Sequence, residues 1–286
     1  MQIADRVAVV TGGASGAGRA LCRGLAARGA AGVVVCDIDA DGAERVAGEL
    51  SSAGHRALAV RADISAEKDV KALVTRSEET FGPVSLFFSN AGIIVAGGPE
   101  AADEAWSRIW SINVQSHIYV ARAVLPGMLA RGEGYLIITA SAAGLLTQLG
   151  SAPYAVTKHA AVAFAEWLSI TYGDQGIRVS CLCPQAFTSN LLDTSRRTAG
   201  LASGLPEAGT GAPGSGSASS GSAQAAVDGV LTSEQVADAA LDAIGTEQFL
   251  VLPHPDVATY ERRRADDRER WLRGMRRMQA RLSGQA

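Results

Sequence analysis

Tyr154 and Lys158 are the residues whose types and spacing most clearly predict chemistry. They stand four apart in residues 154–172, a stretch with the composition of a helix, so their side chains would share one helical face. A free phenol has a pKa of about 10, too high for a base at neutral pH, and a nearby ammonium group stabilises the phenolate. The pair is therefore predicted to act as an acid/base that deprotonates an alcohol or protonates an alkoxide.

Ser141 lies 13 residues before Tyr154, at the end of a predicted strand. Its hydroxyl group can hydrogen-bond the same substrate oxygen and stabilise the charge that develops there. Each residue alone has an ordinary structural explanation, since a helical tyrosine usually packs and a serine after a strand usually caps a turn. Their joint spacing favours the catalytic interpretation.

A glycine-rich turn, residues 11–18, follows the first predicted strand and opens the first predicted helix. Glycines allow a tight turn and let the backbone approach a pyrophosphate without a Cβ in the way. The N-terminus of the helix then offers free N–H groups to phosphates. The turn is predicted to bind a dinucleotide cofactor through five of its residues, namely Gly12, Ser15, Gly16, Ala17 and Gly18.

Asp37 ends the second predicted strand, 19 residues after Gly18. An acidic residue about 20 positions beyond the glycine turn is expected to hydrogen-bond the adenosine ribose hydroxyls and to repel a 2′-phosphate. The next residue is Ile38, which cannot neutralise such a phosphate. Both residues favour NAD over NADP as the cofactor. The alternative is that Asp37 merely caps the next helix, a role for which Asp39 is better placed.

Strand-like and helix-like segments alternate along the chain, which predicts an α/β fold with a Rossmann-like, doubly wound parallel sheet. A single domain is expected over residues 1–255. The predicted strands are residues 6–10, 33–36, 57–61, 86–89, 135–139 and 179–183. The predicted helices are residues 16–28, 40–52, 66–81, 104–130 and 154–172.

Composition narrows the function classes. The chain has 286 residues, 47% of them hydrophobic and 19% charged, and its net charge of −3 gives no reason to expect nucleic acid as a partner. It has no signal-peptide pattern, and no apolar run reaches the roughly 18 residues that a membrane span needs. Four cysteines without a C-x-x-C pair favour the cytoplasm, and four scattered histidines form no metal-ligand set.

Two segments depart from the alternating pattern. Residues 199–226 are mostly glycine, alanine and serine, so we expect a flexible insertion, either a tolerated loop or part of a substrate lid. Residues 256–286 hold nine arginines and five acids, and are predicted to form an arginine-rich amphipathic helix. Its apolar face would pack on its own subunit or a neighbour, with a membrane surface as the weaker alternative because acids interrupt the basic face. That face consists of Trp271, Met275, Met278 and Leu282.

Taken together, these motifs resemble those of the short-chain dehydrogenase/reductase family, in the same order and spacing, over residues 6–188 and more weakly to residue 252. The matching positions are the turn at residues 11–18, Asp63, Asn90-Ala91-Gly92, Asn113, Ser141, and Tyr154 with Lys158. The resemblance implies an oxidoreductase that moves a hydride between the nicotinamide and an alcohol/ketone pair. It also implies a homodimer or homotetramer that pairs the helices at residues 104–130 and 154–172.

The resemblance further implies roles for individual residues. Lys158 would hold the nicotinamide ribose, and Asn113 would hold a water that links Lys158 to solvent and completes a proton path. The adenine end would meet Asp63 and Ile64. The remaining cofactor contacts that the resemblance implies are Asn90, Ala91, Gly92, Tyr154, Pro184, Phe187 and Thr188.

The substrate is predicted to be hydrophobic, such as a steroid, terpene or aryl alcohol, because the residues expected around it are mostly apolar. Gln185 stands where the family usually has glycine, so it is expected to face the substrate. The substrate contacts are predicted to be Ser141, Leu146, Gln148, Tyr154 and Gln185. Further pocket candidates are Ile93, Val95, Leu145, Phe187 and Leu191.

Two other functions fit parts of the sequence. A non-catalytic nucleotide-binding scaffold or sensor could use the same fold, although it would not need Asn113, Ser141, Tyr154 and Lys158 together. An enzyme of the same type could instead work mainly as a ketoreductase, or catalyse epimerisation or dehydration. A net redox change in the cofactor distinguishes hydride transfer to or from a substrate from nucleotide binding alone, epimerisation or dehydration.

Overall fold

The computed structural model describes residues 1–188, 226 and 228–282 of the chain. Seven parallel strands form one sheet in the order β3-β2-β1-β4-β5-β6-β7, and this confirms the predicted doubly wound α/β fold. In chain order, strands β1 to β7 span Val7–Thr11, Gly32–Asp37, Ala57–Arg61, Val84–Ser89, Gly134–Thr139, Ile177–Leu182 and Leu250–Val251.

Helices cover both faces of the sheet, which is why its central strands are buried along almost their whole length. Neighbouring residues of β1 point to opposite faces, so Val9 packs in one core and Val10 in the other. Helices α3, α5 and α6 supply the first core, while α1, α2 and α7 supply the second. Helices α1 to α9 span Gly16–Ala27, Ala40–Ser52, Glu67–Phe81, Asp103–Trp110, Ser116–Arg131, Ala152–Tyr172, Ser233–Thr246, Asp256–Asp266 and Arg268–Leu282.

The winding of the sheet reverses between β1 and β4, which are neighbours in space but not in sequence. Ligands of open α/β sheets bind at the carboxyl ends of the strands beside such a reversal. The glycine turn follows β1, and the Asn90-Ala91-Gly92 turn follows β4. The fold therefore brings the two predicted cofactor motifs to one edge.

The helix predicted over residues 104–130 is not one regular helix. Helix α4 passes into a π turn at Ser111–Gln115, and α5 continues to Arg131. The π turn contains Asn113, whose side chain is tied to the backbone of Ile93 by two hydrogen bonds of 2.9 Å. Hydrophobic periodicity could not reveal this irregularity, because it arises from contacts with a distant loop.

The tail is two helices, where the sequence predicts one at residues 256–286. Asp267 separates α8 from α9, and its carboxylate accepts a hydrogen bond of 2.9 Å from the Arg270 N–H. An aspartate in this position caps a new helix, which explains the break. Trp271, Met275 and Met278 of the predicted apolar face are half-buried, and Trp271 packs against the core.

Some predicted features lie beyond the described residues. The insertion at residues 199–226 does so apart from Ala226, and so do Leu191 and the side chain of Leu282. Within the described part of the chain, no helix has both the length and the apolar composition that crossing a bilayer requires. The same part contains no group of three or more metal-ligating side chains.

Candidate active site

The N-terminus of α1 is open toward the glycine turn. Its N-cap residue, Ser15, makes no capping hydrogen bond, and the first turn contains no acidic residue. A Cβ on Gly18 would lie only 1.9 Å from the carbonyl oxygen of Gly12, which itself has a positive φ of 68°. Free N–H groups beside a close-packed turn suit a pyrophosphate, so the residues present fit the predicted dinucleotide.

Asn90 ties together the ends of three strands. Its amide nitrogen donates to the Thr11 carbonyl oxygen (3.0 Å), and its backbone N–H donates to the Thr11 hydroxyl oxygen (2.9 Å). The Thr139 hydroxyl group donates to the Asn90 amide oxygen (3.2 Å). These bonds fix the turn after β4 against the ends of β1 and β5, at the edge of the sheet where the two predicted cofactor motifs lie.

Asp37 lies at the end of β2, beside the glycine turn. Its carboxylate accepts hydrogen bonds of 3.0 Å from the N–H groups of Ala14, in the glycine turn, and Asp39. Asp39 caps α2 by accepting from the Gly42 N–H (3.0 Å), so Asp37 is not the helix cap. The side chain of Ile38 is exposed and brings no positive charge to this position.

The Asp63 side chain forms hydrogen bonds within the turn that follows β3. Its carboxylate accepts hydrogen bonds from the backbone N–H and the hydroxyl group of Ser65, at 2.9 and 2.7 Å. Ile64 beside it is half-buried. A contact of either residue with an adenine ring stays a prediction.

Tyr154 and Lys158 occupy one buried face at the start of α6, with exposed fractions of 8% and 3%. The Lys158 ammonium nitrogen lies 5.7 Å from the centroid of the Tyr154 ring. It donates a hydrogen bond of 2.9 Å to the carbonyl oxygen of Thr139, the last residue of β5. The structure therefore brings the predicted acid/base pair to the carboxyl edge of the sheet.

The ionisation of the pair differs from the sequence-based expectation. Burial raises the pKa of Tyr154 above its ordinary value, and the hydrogen bond with Ser141 offsets only part of that rise. Burial also lowers the pKa of Lys158 to about 8. The ammonium group lies over the face of the ring, and burial is the largest influence on the pKa of both groups. Tyr154 is therefore a phenol at neutral pH, ready to donate a proton.

Ser141 is held at the start of a 3₁₀ turn, Ala142–Gly144. Its hydroxyl oxygen accepts a hydrogen bond from the Ala143 N–H (3.1 Å), and its hydroxyl group donates to the Pro184 carbonyl oxygen (3.3 Å). Its side chain also lowers the pKa of Tyr154, against the larger effect of burial. The predicted Ser141, Tyr154 and Lys158 set thus converges on one place.

Asn113 is completely buried, and its side chain hydrogen-bonds the backbone of the loop after β4. Besides its bonds to Ile93, its amide nitrogen donates to the Thr157 hydroxyl oxygen (3.3 Å). A Cβ placed on Gly92 would lie 3.3 Å from the Asn113 amide oxygen and 3.4 Å from the Lys158 nitrogen. Glycine at this position therefore lets the backbone lie close to both side chains, and the water link between them stays a prediction.

The residues predicted to surround the substrate do not all lie together in the structure. Tyr154 packs with Ile93 and Ala143, and Val95 lies against this cluster. Leu145 and Leu146 instead pack in the main core, and Leu146 also lines a cavity beneath the tail helices. Gln148 lines a second cavity, beside Gly97 and Val156. Leu146 and Gln148 are thus not brought into the Tyr154 cluster.

Further along the edge, the chain after β6 contributes Gln185 and the residues next to it. The Pro184 carbonyl oxygen accepts from the Ala142 N–H at 2.9 Å, so this loop meets the Ser141 turn directly. Phe187 packs against the second core, and the Thr188 N–H donates to the Leu231 carbonyl oxygen (2.9 Å).

The sequence did not single out His254, which the structure places beside Gln185. The imidazole Nδ1 accepts from the Gln185 N–H at 3.3 Å. The Gln185 amide oxygen and the His254 Nε2 are both buried and have no partner among the described residues. One signal was present: His254 follows the last strand, at the edge where the site lies.

Comparisons with known proteins agree with this geometry. A family model described as short chain dehydrogenase matches residues 6–200. The chain is 34% identical over 273 residues to a 1-deoxy-11-beta-hydroxypentalenate dehydrogenase of Streptomyces exfoliatus, covering 93% of this chain and 90% of the relative. It is 40% identical over 183 residues to a cis-4-hydroxycyclohexanecarboxylate dehydrogenase of Sinomonas cyclohexanicum, covering 63% of this chain and 73% of the relative.

Solved structures show the same architecture. A short chain dehydrogenase/reductase from Burkholderia phymatum, in complex with NAD, superimposes with a TM-score of 0.82 at 31% sequence identity. The match covers 94% of this chain and 96% of that one, so the likeness extends over nearly the whole of both chains.

Proposed function

The chain belongs to the short-chain dehydrogenase family, and from that premise we propose that it transfers a hydride between NAD and a hydrophobic secondary alcohol or the matching ketone. The observation that carries this proposal is the convergence of Ser141, Tyr154 and Lys158. The Lys158 ammonium group lies over the Tyr154 ring and is anchored to the end of β5, and the Ser141 side chain lowers the pKa of Tyr154.

Each residue has a defined part in the proposed reaction. In oxidation, the Tyr154 phenolate oxygen accepts the hydroxyl proton of the alcohol while a hydride leaves the carbinol carbon. When bound, the nicotinamide supplies the ring that accepts or returns this hydride. Ser141 donates a hydrogen bond to the substrate oxygen as its charge changes. Lys158 holds a positive charge beside the phenolate, and Asn113 holds the water that links Lys158 to solvent in the proposed proton path.

NAD is the proposed cofactor. The Asp37 carboxylate lies beside the glycine turn, where it would accept hydrogen bonds from ribose hydroxyls and repel a 2′-phosphate. The similar Burkholderia phymatum structure is a complex with NAD, which supports the same choice.

The proposed substrate class is a cyclic hydrophobic alcohol. The two named relatives are dehydrogenases of a hydroxypentalenate and a hydroxycyclohexanecarboxylate. In this chain, Ile93 packs with Tyr154 and the partly buried Val95 lies against the same cluster, so apolar side chains border the acid/base and suit an aliphatic ring. The substrate contacts proposed from the sequence are Ser141, Leu146, Gln148, Tyr154 and Gln185.

A reductive direction is the second candidate, and one observation favours it. Burial raises the pKa of Tyr154, so the phenol form that protonates a nascent alkoxide predominates at neutral pH. Oxidation needs the phenolate and is therefore expected to accelerate as the pH rises.

We also propose a homodimer or homotetramer in the cytoplasm. Trp167 and Ile170 on α6 have exposed fractions of 53% and 83%, and the resemblance pairs this helix between subunits. All four cysteines are free thiols, as a reducing compartment requires.

Replacement of Asp37 with serine tests the cofactor proposal. With cyclic secondary alcohols as substrates and reduced-nicotinamide absorbance as the readout, the unaltered chain is expected to prefer NAD over NADP. Asp37→Ser should shift the ratio of kcat/KM values toward NADP by about 100-fold, because two favourable ribose bonds and one phosphate repulsion are lost together. Asp41→Ser, on the adjoining helix α2, removes the same charge and should leave the ratio unchanged. A preference of the unaltered chain for NADP would contradict the assignment of Asp37.

A further inference from the structure

The C-terminal tail touches three loops that border the candidate site. Just before α8, His254 accepts from the Gln185 N–H in the loop after β6. Within α8, the Tyr260 hydroxyl group donates to the Asp228 carboxylate at 2.7 Å. Farther along the helix, the Arg264 guanidinium group donates to the carbonyl oxygen of Leu145. Helix α8 therefore spans the loops around the candidate site.

Arg264 differs from the other arginines of the tail in its surroundings. Its guanidinium carbon lies 5.6 Å from the centroid of the Trp271 ring, and Nη2 lies 3.4 Å from Nε2 of His159. Nδ1 of His159 faces the carbonyl oxygen of Ala155 at 2.9 Å, so Nδ1 carries the proton and Nε2 is free to accept from Arg264. The charge is thus held by an aromatic face, an imidazole and a carbonyl oxygen.

No carboxylate of the described residues forms an ion pair with Arg264. Partial burial, aided by the nearby charge of Arg268, lowers the pKa of Arg264 below its ordinary value. The charge of Glu261 opposes this lowering, and the acceptors that the half-buried guanidinium group has among the described residues are Leu145 and His159. The hydrogen bond to Leu145 is therefore a specific contact of the guanidinium group, which does not simply extend into solvent.

Leu145 directly follows the 3₁₀ turn that Ser141 begins. At the start of the turn, the Pro184 carbonyl oxygen accepts from the Ala142 N–H and the Ser141 hydroxyl group. At its end, the Leu145 carbonyl oxygen accepts from Arg264, and a positive charge is favourable at that end of a turn. The turn is clamped at both ends, once by the loop after β6 and once by the tail.

We propose that Arg264 is a positioning residue that holds the Ser141 turn in the orientation needed to hydrogen-bond Tyr154 and the substrate oxygen. The inference rests on the proposed function, since it assigns Arg264 a part in the same reaction. Arg264 acts through Leu145 and the turn and does not touch the reacting atoms. The tail thereby becomes part of the catalytic apparatus, although it lies far from Ser141 in sequence.

The test compares Arg264→Gln with Arg263→Gln, which removes the same charge from an exposed position on the same helix. Hydrogen exchange of the amides at residues 142–149 should become about 10-fold faster in Arg264→Gln, because the turn loses its charged clamp. It should be unchanged in Arg263→Gln. Arg264→Lys keeps the charge but lacks the planar guanidinium group, so its protection from exchange should lie between that of the unaltered chain and that of Arg264→Gln.

Activity provides the second readout. Arg264→Gln should lower kcat about 10- to 100-fold, because a displaced serine misaligns the reacting groups. The KM for NAD should stay within about 2-fold, since Arg264 is remote from the glycine turn. The pH at which oxidation reaches half its maximum should rise, because the Ser141 hydrogen bond lowers the pKa of Tyr154. Lys158 and Cys183, the other groups that influence Tyr154, are unaltered in this variant.

These readouts separate the failure of the inference from that of the proposed function. The absence of hydride transfer by the unaltered chain would reject the proposed function, and with it the catalytic part of the inference. Exchange at residues 142–149 that is the same in Arg264→Gln and Arg263→Gln would overturn the clamp itself. Faster exchange with an unshifted pH profile would overturn the positioning of Ser141, because general loosening lowers the rate without moving the profile.

Discussion

Tyr154→Phe is expected to lower kcat about 10²- to 10⁴-fold in both directions, which is the usual contribution of a positioned acid/base. The variant loses only a hydroxyl oxygen from a buried ring that packs against Ile93 and Ala143, so the cluster around it stays filled. NAD binding should be nearly unchanged, because the phenol group transfers a proton and does not hold the phosphates. Steady-state kinetics and a fluorescence titration with NAD measure the two effects.

Tyr172→Phe is the matched control, since it makes the same chemical change at the other end of α6. Tyr172 packs edge-on against Trp167, with 5.9 Å between the ring centroids, and takes no part in the candidate site. Its variant should keep full activity. If Tyr154→Phe turned over alcohol and ketone as fast as Tyr172→Phe, the acid/base would be another group.

Lys158→Met is expected to lower kcat for alcohol oxidation about 10²-fold or more and to weaken NAD binding. Methionine fills a similar volume but leaves the phenolate without its neighbouring charge and the nicotinamide ribose without its proposed donor. The pH profile for oxidation should move to higher pH, because the phenolate then forms less readily. Kinetics across the pH range, with Lys68→Met on the exposed face of α3 as the control, check this expectation. An unchanged profile would contradict the assigned role.

The same variant should also change how stability depends on pH. Burial lowers the pKa of Lys158 from its ordinary 10.5 to about 8. Between these two values the unfolded chain binds more protons at this site than the folded chain, so the site makes the folded chain more stable as the pH rises. Lys158→Met should lack this contribution. Melting temperatures of both proteins from pH 7 to 10 would show the difference, and parallel curves would contradict a buried, easily deprotonated Lys158.

Local patterns were sufficient to predict much of this molecule. Buried parallel strands require continuous apolar runs, so β1, β2 and β5 could be predicted from composition. The four-residue spacing of Tyr154 and Lys158 is itself a helical geometry, so spacing alone was enough to predict that both groups share one face. That Ser141 lies beside Tyr154 and Lys158 was predicted from the family resemblance, because hydrophobic periodicity does not determine the conformation of loops at strand ends.

The remaining features depend on contacts between distant residues. The π turn at Asn113 comes with its bonds to Ile93, and Arg264 meets a carbonyl group 119 residues away. No local pattern encodes either contact. The raised pKa of Tyr154 also could not be predicted, since it depends on burial that only the packed structure defines. The packing of Leu146 in the core likewise depends on contacts that the sequence does not define, and its contact with substrate stays a prediction.

Transfer of deuterium from carbon to cofactor tests the central claim most directly. A cyclic secondary alcohol that carries deuterium on its carbinol carbon is incubated with the purified chain and NAD, and the reduced cofactor is analysed by mass spectrometry. The proposed reaction predicts one deuterium in each reduced nicotinamide and a ketone product, both formed about 10²- to 10⁴-fold more slowly in Tyr154→Phe. Reduced cofactor without deuterium, or product formed without any reduced cofactor, would contradict direct hydride transfer.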